Sequence, residues 1–319
     1  MKKIAGIWDL LRSGGTLGRL LILLEELHIQ RRIHQAASID VVIVADARQL
    51  GGNEDAESFD RFGDNAASLI ERVAPLLPAL RAMDGLSDMH VCSDAASTQK
   101  VAELIASECI VWPPLDALIE GRHNHDSTQV VQDFFSRAGE IPALSVKPEL
   151  TAWAEGYLKQ KAGARLPVAV HLKDNPAVAG QSNANVEAWR VFMEGSQREH
   201  RAQFVLVGDD AVPAQFRSLP NVTIGKDDGI DLVRSHALIQ AAGLFMGMMS
   251  GPANMALFGT NPYLIFKNPD HHAREMAEEI GNSDRYCFAT ERQRVLRVWD
   301  TAGNLAEAFK SALGQAACG

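Results

Sequence analysis

The chain has 319 residues, with 40 Asp and Glu against 31 Lys and Arg, for a formal net charge of −9. Hydrophobic residues make up 46% and charged residues 22%, a globular balance that excludes a mainly disordered chain. The acidic sign argues against a nucleic-acid partner, which needs a basic face, and at roughly 150 residues per domain the length suggests two domains.

Strand and helix patterns alternate along the chain. Ile4 to Leu11 reads as a short buried strand, Ser13-Gly14-Gly15-Thr16-Leu17-Gly18 as a turn, and Arg19 to Gln35 as a helix. The β-branched run Ile39 to Val44 predicts a strand. Residues 47–65 carry Gly, Asn, Asp and Glu without periodicity and read as a long loop. A helix is expected over 66–82, a strand over Met89 to Cys92, a helix over 96–107 and a strand over Cys109 to Trp112, which Pro113-Pro114 stops. A polar loop reaches Ser127, and a helix follows over 128–138.

The second half continues with helix 149–162, strand Pro167 to Leu172, helix 184–200 and strand Gln203 to Val207. Strand Val222 to Ile224, helix 230–242, strand Leu244 to Met246, helix 252–258 and strand Pro262 to Phe266 come next. Helices over 272–280 and 291–316 close the chain. Such alternation implies parallel sheets covered by helices. Gly139, Pro142 and Pro148 mark a boundary, giving domains over 1–145 and 146–319, with the last helix packing back. The fold class is α/β, with two Rossmann-like doubly wound domains facing a cleft. Ligands of such sheets bind at the carboxyl ends of the strands.

Cys92, Cys109, Cys287 and Cys318 form no Cys-x-x-Cys pair, and their scatter fits reduced thiols in a cytoplasmic protein. The apolar run Leu20 to Leu24 is too short to span a bilayer, and Asp9 and Arg12 interrupt any leader-like stretch. No transmembrane segment is expected.

The segment Gly247-Met248-Met249-Ser250-Gly251-Pro252-Ala253-Asn254 follows a strand and opens a helix. Pro252 suits the first helical turn and Ser250 an N-cap, while Gly251 lets backbone approach a ligand. Free N–H groups there suit a diphosphate; an ordinary strand-to-helix turn is the plainer alternative. Other polar strand ends are His171-Leu172-Lys173-Asp174-Asn175 and Gly208-Asp209-Asp210, and Asp231 to His236 starts the helix before the Ser-Gly-Pro segment. Asp270-His271-His272 follows another strand, so His271 could touch a donor.

This ordered set resembles the donor-binding half of GT-B glycosyltransferases, and is nearest in feel to the fucosyltransferase branch with its His-x-Arg-x-Gly-Asp strand end. Here Lys173 stands in place of Arg, and Asn175-Pro176 in place of Gly-Asp. The resemblance covers about 167–270. It implies a glycosyltransferase moving a sugar from a nucleotide-diphosphate sugar to a hydroxyl of a glycan, lipid-linked or protein acceptor. His171, Lys173, Asn175, Asp209, Ser250, Gly251, Pro252, Asn254 and His271 would hold the donor. No cofactor or bound metal is expected. The alternatives are a sugar-nucleotide epimerase or hydrolase on the same fold, or a non-catalytic binding protein of that shape.

On the N-terminal side, Gly14 and Gly15 form a turn of the kind that GT-B enzymes aim at the ligand. Asp9 and Asp46 end the first two strands and are the candidate general bases, with Asp9 favoured because the Gly-rich turn beside it leaves room for a substrate. The plainer reading is that Asp9 caps the turn and Asp46 pairs with Arg48. His123-Asn124-His125-Asp126 has metal-ligand spacing but no third distant ligand to complete it, and reads as a solvated loop. Trp153, Trp189 and Trp299 read as core.

Overall fold

The computed structural model describes residues 2–47, 50, 66–92, 95–176, 180–198 and 201–316. The chain divides into two compact units, Met1–Leu144 and Ser145–Gly319, each with its own sheet. Both sheets are parallel throughout.

In the N-terminal unit, β1 (Lys3–Asp9) pairs with β2 (Ser38–Val44) and β4 (Cys109–Trp112), and β3 (Leu86–Cys92) lies outside β2. Six of the seven residues of β1 and of β2 are buried, as apolar runs covered on both faces should be. A four-residue helix α1 (Leu10–Ser13) joins β1 to α2 (Leu17–His34). Leu27 of α2 fits against Gly6, where an added Cβ would lie 2.3 Å from its Cδ1. The expected helix over 66–82 is split into α3 (Ala66–Val73), a single 3₁₀ turn and α4 (Leu77–Arg81), with Pro75 and Pro78 at the two breaks. Helix α5 (Ala95–Glu108) precedes β4. Helix α6 (Leu115–Ile119) lies inside the stretch that reads as polar loop, and α7 (Gln129–Ala138) ends on Gly139. The expected loop at 47–65 falls almost wholly outside the described residues.

The C-terminal unit begins with α8 (Pro148–Ala162). Its sheet has the order β10-β9-β8-β5-β6-β7, built from β5 (Leu166–His171), β6 (Ala202–Leu206), β7 (Val222–Ile224), β8 (Leu244–Met248), β9 (Tyr263–Phe266) and β10 (Gln293–Leu296). On one face Trp189 and Phe192 of α9 (Val186–Gln197) meet Phe204, Phe266 and Phe309, the last from α13 (Ala302–Ala316). Helices α10 (Leu232–Ala241) and α11 (Gly251–Leu257) pack on each other, as do α10 and α8. Helix α12 (Ala273–Ile280) follows β9.

Two expectations fail here. The stretch 291–316 is not one helix: Gln293–Leu296 joins the sheet edge as β10, and α13 starts only at Ala302, where it packs on α9 of its own unit. Four residues beside a strand are too few to show their period of two. Trp299 is not core but 47% exposed, while Trp189 is fully buried with its indole donating to Asp300 at 2.8 Å. Trp153 is half-buried, stacked on Tyr157 and covered by the Arg234 guanidinium. Among the described residues no helix is long and apolar enough to cross a membrane.

Candidate functional site

The C-terminal sheet changes winding direction between β5 and β8. The chain proceeds from β5 outward to β6 and β7, then returns to β8 on the other side of β5 and continues outward. This reversal between β5 and β8 is the point at whose carboxyl strand ends open α/β sheets bind ligands. His171 ends β5 directly opposite Gly247 of β8. A Cβ on Gly247 would lie 2.8 Å from the His171 carbonyl, so glycine lets the two strands meet there.

Three polar side chains from three strand ends form a chain across this point. Nε2 of His171 lies 2.9 Å from Oδ2 of Asp210, and Nδ1 lies 3.0 Å from the Ser250 hydroxyl. The hydrogen bond from His171 holds the Asp210 carboxyl below its usual range, against the opposing effect of burial. With the ring proton donated to this carboxylate, Nδ1 accepts from Ser250. The Ser250 oxygen in turn caps α11 by accepting from the Ala253 N–H. Gly208 has φ +100°, and a Cβ there would lie 2.5 Å from Cδ2 of His171; only glycine leaves room for the ring. The Ser235 hydroxyl accepts from the Gly208 N–H and fixes this turn.

Beside this chain lies a cluster of basic groups. Lys267 follows β9 and places its amine 3.0 Å from Nδ1 of His271. Asn268 shapes the turn between them, accepting from Asp270 N–H through its side chain and from His271 N–H through its carbonyl. Burial, aided by the nearby charge of Lys173, pulls the Lys267 amine down to about 8. Burial likewise lowers Lys173, partly opposed by Asp210. His271 falls to about 4 through burial and then through Lys267, His272 and Lys173. Among the described residues neither lysine forms a salt bridge, so two cations share one strand-end region without a carboxylate on either amine. An anion placed between them would raise both amines back toward their ordinary range.

The residues expected from sequence divide accordingly. His171, Lys173, Ser250 and His271 gather here, with Gly251 and Pro252 opening α11 and Asn254 in its first turn. Asn175 is exposed, and its backbone is held by Asn183. Asp209 is exposed and offers its carbonyl to Lys226; Asp210, its neighbour, reaches His171 instead. In the segment 231–236, Asp231 caps α10 and Ser235 and His236 are buried. The sequence pattern does not select Asp210 or Lys267. The available signal for Lys267 is its place as the first polar residue after an apolar strand; for Asp210, the choice between two adjacent carboxylates requires the turn geometry.

In the N-terminal unit Asp9 is fully buried and committed to the fold. One oxygen accepts from Leu11 and Arg12 N–H at 3.0 and 3.4 Å, the other from Ala47 N–H at 3.3 Å, and Arg12 pairs with it at 3.6 Å. Burial pushes its carboxyl up to about 6 despite the backbone donors. Gly14 forms the left-handed cap of α1, and Gly15, also left-handed, faces Val73 so closely that a Cβ would lie 2.8 Å from it. These two glycines make a tight helix-to-helix turn. Asp46 is half-buried just beyond β2; Arg48, its expected partner, lies outside the described residues.

No family model and no curated protein matches the sequence. Solved structures do. The glycosyl transferase family 9 protein from Veillonella parvula matches with a TM-score of 0.56 at 14% identity, over 97% of this chain and 89% of that one. E. coli ADP-heptose lps heptosyltransferase II matches with a TM-score of 0.51 at 13% identity, over 99% of each chain. The two tandem parallel-sheet units are thus the GT-B fold of glycosyltransferases.

Proposed function

We infer that the protein is a glycosyltransferase whose C-terminal unit binds a nucleotide-diphosphate sugar. The observation that carries this reading is the pair Lys173 and Lys267, two partly desolvated cations at the ends of β5 and β9 without a salt bridge among the described residues. A diphosphate brings the charge that such a pair is missing. In the reaction, the bond between the anomeric carbon and the diphosphate oxygen breaks as the acceptor oxygen bonds to that carbon. Negative charge develops on the departing diphosphate, and the two amines, with the backbone N–H groups that start α11, stabilise it in place. His171, held by Asp210, orients Ser250 at that helix start.

The acceptor, whether glycan, lipid-linked or protein, and the general base belong in this reading to the N-terminal unit. Asp46 takes the base role, because Asp9 already uses both carboxylate oxygens to bind backbone N–H groups. The E. coli neighbour is named for ADP-heptose; the donor of this chain is a nucleotide-diphosphate sugar, and the protein works in the cytoplasm without a metal in the donor site.

The chain Ser250–His171–Asp210 favours a second reading, a nucleotide-sugar hydrolase, since a serine hydroxyl on an imidazole backed by a carboxylate is an activated nucleophile. The test is a thermal-shift screen of GDP-, UDP-, ADP-, CMP- and TDP-sugars, followed by turnover of the stabilising sugar with and without acceptor. Acceptor-dependent release of nucleotide supports transfer. Acceptor-independent release that Ser250→Ala abolishes supports the hydrolase.

A further inference from the structure

Three ligating side chains meet at one buried point of the N-terminal unit, brought there by α2 and the loop that follows α6. Oε2 of Glu26 lies 2.9 Å from Nε2 of His123 and 3.0 Å from Nδ1 of His125, and the two ring nitrogens are 3.2 Å apart. The Trp112 indole at the end of β4 donates to the same oxygen at 2.8 Å. The side chains of Glu26 and His125 are 1% and 0% exposed, and that of His123 is 20% exposed. His125 sits at φ 54°, a left-handed backbone uncommon outside glycine, and its ring lies in the cluster. The loop is fastened on both sides: Arg12 donates to the Ile119 carbonyl at 2.6 Å, and the Ser13 hydroxyl donates to the Asn124 carbonyl at 3.2 Å.

Hydrogen bonding alone satisfies this arrangement poorly. If both nitrogens carry protons, two N–H groups crowd one oxygen that already accepts from Trp112. If one does not, its lone pair faces the lone pairs of the carboxylate. Among the described residues, Oε1 of Glu26 and Nε2 of His125 are buried without a hydrogen-bond partner, which native proteins seldom tolerate.

We propose that Glu26, His123 and His125 bind a divalent first-row transition cation, zinc foremost. Two imidazoles and one carboxylate are a ligand set that suits zinc or iron and disfavours magnesium and calcium, which take oxygen. Donor atoms 2.9–3.2 Å apart fit around one cation at the usual ligand distances of about 2.0–2.2 Å. The cation takes up the converging lone pairs, leaves a coordination position for water on the partly exposed side of His123, and ties the loop over 120–127 to α2. The two histidines alone suggest no site because the third ligand stands 97 residues from His123 in sequence.

The test uses the untagged full chain, stripped with a chelator and titrated calorimetrically with zinc chloride and, separately, with cobalt chloride. The expected result is one saturable site per chain, a rise in Tm with zinc and a visible cobalt absorption band. His123→Ala should weaken zinc by about tenfold or more, since losing even an outer partner of a metal site costs that much. Because a change at buried Glu26 endangers folding, the substitution is made at the partly exposed His123, with circular dichroism confirming the fold. A Cys92→Ser, Cys109→Ser, Cys287→Ser variant should bind as the parent does. Absence of a saturable site, or equal zinc affinity in His123→Ala, overturns the proposal.

Discussion

Lys267 holds its amine 3.0 Å from Nδ1 of His271, in a region that also carries the charge of Lys173. The imidazole can accept this hydrogen bond only when unprotonated, and its lowered pKa of about 4 keeps it so at neutral pH. The strand end thus has an amine whose charge is sensitive to pH just above neutrality.

That sensitivity gives a pH profile. With the Lys267 amine at about 8 in the free protein, its charge is complete below about pH 7 and is lost as pH rises through 8. An anion favours the charged form, so the affinity for a nucleoside diphosphate, itself fully ionised above about pH 7, should fall from pH 7 toward pH 9. Calorimetry at pH 7 and pH 9 checks this. Lys267→Arg, which stays charged throughout, should remove most of the fall.

Gly208→Ala should disturb the site through His171. The new methyl would meet the imidazole at 2.5 Å in a backbone with φ +100°. Expected are a loss of about 1–3 kcal/mol in chemical denaturation and a lower donor affinity. Parent-like stability and affinity would show that the ring can move without consequence.

Asp9→Ala should act on stability rather than on donor binding. It removes the acceptor for three backbone N–H groups and the partner of Arg12, a loss of about 1–3 kcal/mol. Its folded carboxyl, at about 6, lies above its ordinary 3.8. The stability it contributes is therefore greatest below about pH 4 and is lost as pH rises through 6. The deficit of the variant should accordingly be larger at pH 5 than at pH 7 in urea titrations.

Asp46→Asn tests the assigned base. Turnover of the sugar identified by the screen should drop by about 10²-fold or more, with donor affinity nearly unchanged. Near-normal turnover would remove Asp46 from the mechanism.

All strands but β10 are legible in the sequence, most clearly where a buried parallel strand is an apolar run, as Ile39 to Val44 and Tyr263 to Phe266 illustrate. The site is legible where chemistry follows directly on such a run: His171 and Lys173 after β5, Ser250 after β8. It is not legible where pairing depends on a turn, as with Asp210 against Asp209, or on distance along the chain, as with Glu26 and His123. Strand β10 escapes notice because its short run, Gln293–Leu296, has polar residues in two of four positions. Asp9 is open in the sequence between a base and a cap of the turn, and the backbone folds over it and makes it a cap.

The most direct measurement is the affinity of the nucleoside diphosphate selected by the sugar screen for the parent, Lys173→Ala and Lys267→Ala, at pH 7 and fixed salt. The account predicts saturable one-to-one binding in the parent and a loss of about 1–3 kcal/mol in each variant, the scale of a charged hydrogen bond. Binding that both alanine variants retain at parent strength, or no binding by any nucleoside diphosphate, would contradict it.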